Sequence, residues 1–189
     1  MKSKRLIFAA IGAVLLQACV HDRGVGVLSV QTPPDIIVHI TNGGVTSYTT
    51  LASGKCKVVN QGKNGCVHID ANNTGLITFR KTGPAVWKLT TFQICKVTAG
   101  ANDCNLNVWE RFEFAIANVD ASNATLPDSS GKVDLTSLNI PTTGPNQNAF
   151  IVLDQNRIQQ EYYYRIELCT ESECEWADPP LENGGIISH

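Results

Sequence analysis

Beyond residue 27 the chain runs in short stretches of β-branched, aromatic and aliphatic residues, set apart at regular spacing by clusters of Gly, Asn, Pro and Ser. Stretches of this kind form half-buried strands and the clusters form turns. Residues 28–31 and 35–40 read as one strand broken by Pro33-Pro34, which a sheet edge tolerates because proline cannot donate to a ladder. Asn42-Gly43-Gly44 turns the chain into a second strand at 45–51, and segments 56–59 and 66–70 flank the turn formers 60–65. At 76–81, Ile77, Phe79 and Lys81 alternate with Leu76, Thr78 and Arg80 until Gly83-Pro84 ends the run. Segments 86–98 and 106–118 are expected to form one long hairpin around 100–103. Trp87, Leu89, Cys95 and Val97 share one parity, and Val108, Phe112, Phe114 and Ile116 share another.

Segments 120–131 and 141–148 are too polar for a core and read as loops, with 134–138 as a helical turn or short edge strand between them. Strands follow at 149–153 and 162–170, separated by the turn formers Asp154-Gln155-Asn156, then at 173–176, before Asp178-Pro179-Pro180 stops the sheet. After the first eighteen residues no long segment carries the i, i+3, i+4 period of an amphipathic helix. The fold class expected is therefore all-β, an antiparallel β-sandwich over residues 28–180, with 181–189 as a flexible tail.

The front of the chain reads differently. Lys2, Lys4 and Arg5 precede an apolar run from Leu6 to Leu16, and Ala18 supplies a small residue before a cleavage point. That is a secretory signal, with a run far short of the roughly 18 residues a spanning helix needs. Leu16-Gln17-Ala18-Cys19 resembles the lipobox of bacterial lipoproteins. The resemblance implies removal of residues 1–18, a diacylglyceryl thioether and an N-acyl group on Cys19, and residence at a membrane through that lipid. Val20 in place of aspartate implies the outer membrane of a Gram-negative cell. An ordinary signal peptide cut near Ala18 is the alternative. Residues 19–27, with Gly24 and Gly26, would form a short tether.

Without residues 1–18 the chain keeps twelve Lys and Arg against seventeen Asp and Glu, a net charge of about −5. That balance argues against nucleic acid and against an anionic lipid surface as partners. The 171 residues left fit one domain. Apart from Cys19, six cysteines remain, an even set in an exported chain, and neighbours straddle turn-like segments. Local pairing is expected: Cys56 with Cys66, Cys95 with Cys104, and Cys169 with Cys174. The rival, a metal site, lacks the C-x2-C spacing of common zinc knuckles.

The strand Tyr162-Tyr163-Tyr164-Arg165-Ile166-Glu167-Leu168-Cys169, with the tight turn and last strand after it, resembles the closing strands of immunoglobulin-like and fibronectin type III-like modules. The resemblance covers residues 149–178 and implies an immunoglobulin-like sandwich.

Candidate chemistry is sparse. There is no Gly-x-Ser-x-Gly elbow. His68 and Asp70 share a strand face, where an orienting pair and a surface hydrogen-bonding pair are both open readings. Glu110 with Glu113, and Glu171, Glu173 and Glu175, read as solvated faces and turns, while Asp154-x-Asn156 and the segment from Asp120 to Asn123 lack the rest of a calcium loop. No catalytic residue, metal or free cofactor is expected. Aromatic faces suit glycans and proteins alike, and Trp109, Tyr163 and Trp176 are the expected contact surface, with Trp87 assigned to the core. The sequence thus points first to a non-catalytic envelope lipoprotein that binds or positions another envelope component. A glycan- or peptidoglycan-binding module and an anchored hydrolase are the alternatives.

Overall fold

A computed structural model of the chain describes residues 29–32, 36–41, 44–49, 67–70, 73–98, 101–120, 123–158, 160–177 and 180–183. The described strands, in chain order, are β1 (Ser29–Gln31), β2 (Ile36–Thr41), β3 (Gly44–Thr49), β4 (Val67–Ile69), β5 (Asn73–Thr82), β6 (Lys88–Thr98), β7 (Ala101–Asp103), β8 (Phe114–Asn118), β9 (Lys132–Asp134), β10 (Ala149–Asp154), β11 (Glu161–Cys169), β12 (Cys174–Ala177) and β13 (Pro180–Asn183). One α-helical turn, α1 (Val108–Arg111), precedes β8, and a 3-10 turn spans Leu135–Leu138.

The alternation seen in the sequence is the alternation of burial. Along β11, Tyr162, Tyr164, Ile166 and Leu168 are buried, while Tyr163, Arg165, Glu167 and Cys169 are half-buried, as a strand with one face on the core requires. The first sheet runs β3-β2-β5-β10-β8 with β1 also on β5; the second runs β4-β13-β11-β6-β7, with β12 on β11 and β9 on β6. Aromatic rings of the two sheets meet between them. Phe79 stacks on Phe150 at 5.1 Å and meets Phe92 and Tyr164 edge-on at 5.4 and 4.8 Å, and Phe114 meets Tyr162 at 4.8 Å. Each such pair contributes roughly 0.5–1.5 kcal/mol beyond simple burial. β10 is buried along its whole length because Ile151 and Leu153 join Leu76, Ala115 and Ala117 in a second apolar cluster, covered in part by Leu126. A strand buried on both faces is a continuous apolar run, which Ala149-Phe150-Ile151-Val152-Leu153 is.

Two expected disulfides are present, Cys95–Cys104 and Cys169–Cys174. Cys56 and Cys66 lie outside the described residues, as does Cys19 with the signal and tether.

The structure corrects the expected topology in several places. The sheets are mixed: β1 and β2 both run parallel to β5, and β4 runs parallel to β13. Direction alternates only when chain neighbours pair; between β2 and β5 the chain visits both sheets, so β5 returns beside β2 pointing the same way. The long hairpin over 106–118 is replaced by β7, α1 and β8, with β7 pairing to β6 and β8 joining the other sheet. In β6 the register with β11 slips next to Leu89, so Thr90 is an extra residue. Phe92 and Ile94 then face the core with Leu89, whereas Cys95 and Val97 face away, as a bulge dictates. β10 and β11 are not a hairpin, since they lie in different sheets. Pro180 begins a strand instead of ending the sheet, so 181–183 are paired residues and not a tail.

Strand register gives the molecule two distinct ends. Ser29 pairs with Asn73, Gly75 with Asp154, and Asp154 with Phe114, so β1 and β8 both start at one end of the first sheet. At that end β11 also starts and β6 finishes, Tyr162 lying opposite Lys96. Lys88 and Cys169 pair at the other end, where the connection from β5 to β6 meets the turn from β11 to β12.

Candidate functional site

At the Lys88 end lies an open groove of about 680 Å³, walled by Ala85, Val86, Lys88 and Thr90 on one side and residues 169–173 on the other. Its first wall is a sharp turn that glycine makes possible: Gly83 has φ +112°, and an added Cβ would collide with the carbonyl oxygen of Ile40. Lys81 then locks the turn from beneath, its buried ammonium donating to the carbonyls of Pro84 at 2.9 Å and Trp87 at 2.7 Å. Burial pushes the Lys81 pKa below the ordinary lysine value. The second wall is a tight turn. Thr170 N–H donates to the Glu173 carbonyl at 2.8 Å, and the Thr170 hydroxyl oxygen accepts from the N–H groups of Ser172 and Glu173. The Cys169–Cys174 disulfide closes its base.

Trp87, 2 % exposed, packs behind the lining, whose exposed charged residues are Lys88, Glu171 and Glu173. Below the rim Glu167 accepts from the hydroxyls of Thr90 at 3.0 Å and Thr91 at 2.7 Å. A carboxylate oxygen of Glu167 and the sulfurs of Cys169 and Cys174 lie within 4.8 Å of one another. Paired sulfurs lack the thiolate a metal requires, so this trio is not a metal site in the disulfide state.

At the opposite end the chain leaves the core at buried Leu106 and returns at buried Glu113, and the excursion between them is α1. Asn107 caps it, its side-chain oxygen accepting from the N–H groups of Trp109 and Glu110, while Glu110 accepts from the Asn107 N–H at 2.8 Å. This reciprocal box makes a helix where parity alone read a strand. Both charged side chains turn back to the body. Glu110 pairs with Lys96 at 3.1 Å, and Arg111 donates from Nε to the Pro127 carbonyl at 2.6 Å. Val108, Trp109 and Phe112 are left 57, 77 and 37 % exposed.

The three aromatics expected to form one surface are therefore split. Trp109 stands on α1, whereas Tyr163 and Trp176 are half-buried on the outer face of the second sheet, where the Arg165 guanidinium covers the Trp176 ring at 4.4 Å. Trp87 is core, as expected. His68 and Asp70 do meet, at 3.6 Å. Gln31 holds the backbone of both, donating to the His68 carbonyl at 3.0 Å and accepting from the Asp70 N–H at 2.9 Å, so the pair sits in a strap joining the two sheets. Asp154 and Asn156 are buried rather than displayed, the Asp154 carboxylate accepting from the Asn156 N–H at 2.9 Å in a local turn.

Glu113 corrects the solvated-face reading. It is 2 % exposed, and it accepts from the Arg157 N–H at 2.7 Å and Nε at 3.2 Å. Burial pushes its carboxyl above the ordinary 4.5, against the pull of Arg157. A raised carboxyl holds its proton more tightly folded than unfolded, so its stabilisation is complete below the unfolded value and is lost as pH rises through the folded one. The stability advantage of wild type over Glu113→Gln is thus expected to be larger at about pH 4 than at about pH 7 in urea titrations. A pH-independent difference would show that folding does not perturb this group.

No protein-family model matches the chain, and no curated protein matches it.

Proposed function

We propose that the chain is a non-catalytic, lipid-anchored binding module of the cell envelope, which receives a segment of another envelope protein in the groove at its Lys88 end. The observation that carries this reading is the polarity of the fold. β1 starts at Ser29 at one end of the first sheet and the groove opens at the other, an arrangement that supports an anchor on Cys19 with the groove on the side away from it. On this reading the two sheets form an immunoglobulin-like sandwich, used as a rigid stand. Both walls of the groove are fixed, one by Lys81 and one by a disulfide, which lowers the ordering cost of binding. Exposed Ala85 and Val86 beside Glu171 and Glu173 suit a partner segment bearing an apolar side chain flanked by Lys or Arg. Protein is favoured over glycan because the groove's aromatic, Trp87, offers no free ring face on which a sugar could stack.

The test is crosslinking and affinity purification of the tagged lipoprotein at native levels from membranes, beside Cys19→Ser and a Val86→Asp/Glu171→Lys/Glu173→Lys form. All the groove positions changed are exposed, so the fold is expected to persist. A stoichiometric protein partner, lost from the groove variant, is the expected result. Recovery of the same partner by the groove variant removes the groove from the account, and recovery of none by wild type removes the binding role.

A further inference from the structure

The tip of α1 and the start of β1 leave the first sheet at the same end, and from this we propose that Val108, Trp109 and Phe112 are a second membrane contact, seated in the interfacial layer of the bilayer that holds the lipid on Cys19. The inference rests on the anchored reading above and adds to it an orientation. Phe114, which α1 leads into through two residues, is reached from Ser29 by crossing from β1 to β5, β10 and β8. Three strand spacings and a two-residue offset in register place the two about 16 Å apart. Ser29 stands ten positions after Cys19, and a chain of that length spans at most about 35 Å. The tip therefore lies at the same end of the fold as the start of β1, within reach of the bilayer that holds the lipid.

Its chemistry matches that place. A protein interface ordinarily rims its apolar centre with polar groups that bond across to the partner. Around this tip Glu110 is committed to Lys96 and to the Asn107 N–H, and Arg111 to the Pro127 carbonyl, so both charged side chains of α1 are held to the body while Val108, Trp109 and Phe112 are exposed. Indole and phenyl side chains favour the boundary between headgroups and acyl chains. Such a contact needs no complementary charge, in keeping with an acidic mature chain. The tip is also preorganised. Cys95–Cys104 ties the strand that leads to it, and the Asn107–Glu110 box fixes the turn, so little freedom remains to be lost on insertion. A single lipid anchor leaves the domain's orientation unset; a second contact beside it stands the domain upright, groove outward.

The experiment uses the full lipoprotein in phosphatidylcholine vesicles whose acyl chains carry bromine, a short-range quencher of tryptophan emission, against the same vesicles without bromine. Trp87 is in the core and Trp176 lies under Arg165, so the difference between wild type and Trp109→Phe isolates Trp109. Wild type should lose the Trp109 emission in brominated vesicles, and Trp109→Phe should show no further loss. Mass spectrometry of the peptide containing Cys19 decides the anchor separately. A lipidated chain that floats with the vesicles while its Trp109 stays unquenched overturns the membrane contact alone. A chain bearing no lipid on Cys19 overturns the anchored reading, and the orientation argued from it falls as well.

Discussion

Trp87→Ala is expected to lower the stability of the fold by about 3–5 kcal/mol, the range for removing a large aromatic from a packed interior. Trp87 heads the fully buried side chains by size. Its backbone is fixed independently of the ring, since its carbonyl accepts from Lys81 and its N–H donates to the Pro84 carbonyl at 3.3 Å. The backbone therefore cannot collapse into the space the indole vacates, and the cost should sit at the upper end of the range. The measurement is a urea titration, in which the midpoint falls while the slope stays constant. Trp87→Phe, which keeps much of the apolar volume, should lose markedly less. A loss under about 1 kcal/mol for the alanine form would show that the ring contributes little to the core.

The second large effect is expected at Gly131, where alanine should cost roughly 2–4 kcal/mol by adding a steric collision to a strained backbone. Gly131 has φ +71°, and a Cβ there would run into the carbonyl oxygen of Ile94, a backbone atom that cannot swing aside. The same glycine accepts from the Ile94 N–H at 2.9 Å and donates to the Asp128 carbonyl at 3.0 Å. Any shift that relieves the collision pulls on these bonds and on the pairing of β9 with β6. Gly144→Ala is the control: φ is +85°, yet no atom lies within 4 Å of the added carbon. It carries the conformational cost alone, about 1 kcal/mol. Parallel thermal melts should rank wild type, Gly144→Ala and Gly131→Ala in that order. Equal losses for the two variants would remove the collision from the explanation.

What could be read from the residues was what is local. Cys95 and Cys104, and Cys169 and Cys174, are close in sequence across turn formers, so their pairing needed no knowledge of the rest of the fold. The opposite faces of Tyr162 and Tyr163 followed from strand geometry, and the polar loop at 141–148 from composition. Non-local partners were not legible. Nothing in Ser29–Gln31 or Ile36–Thr41 says that both will lie parallel to β5, because that depends on which sheet the intervening chain visits. Parity also failed wherever a strand was not regular, as at Thr90, where one extra residue exchanges the faces. The helix α1 had a legible signal, an N-cap Asn107 with Glu110 three residues on, but the spacing of Val108, Phe112, Phe114 and Ile116 fits a strand equally well. As for the groove, its two walls are 80 residues apart in the chain, so only the fold could bring Trp87 beside the Glu171 turn.

One feature of the second sheet bears on how a newly made chain behaves. β13 lies between β4 and β11, pairing Leu181 with Val67 on one side and with Tyr162 on the other. It is synthesised after every other described strand, so a nascent chain carries β4 and β11 as two open edges until residues 180–183 emerge. Open edges recruit strands from neighbouring chains. Non-local closure of this kind is also slow beside the formation of local hairpins. Completion of the second sheet in this sense waits for β13, and the interval between the appearance of β11 and of β13 is when crowding among unfinished copies would be most damaging.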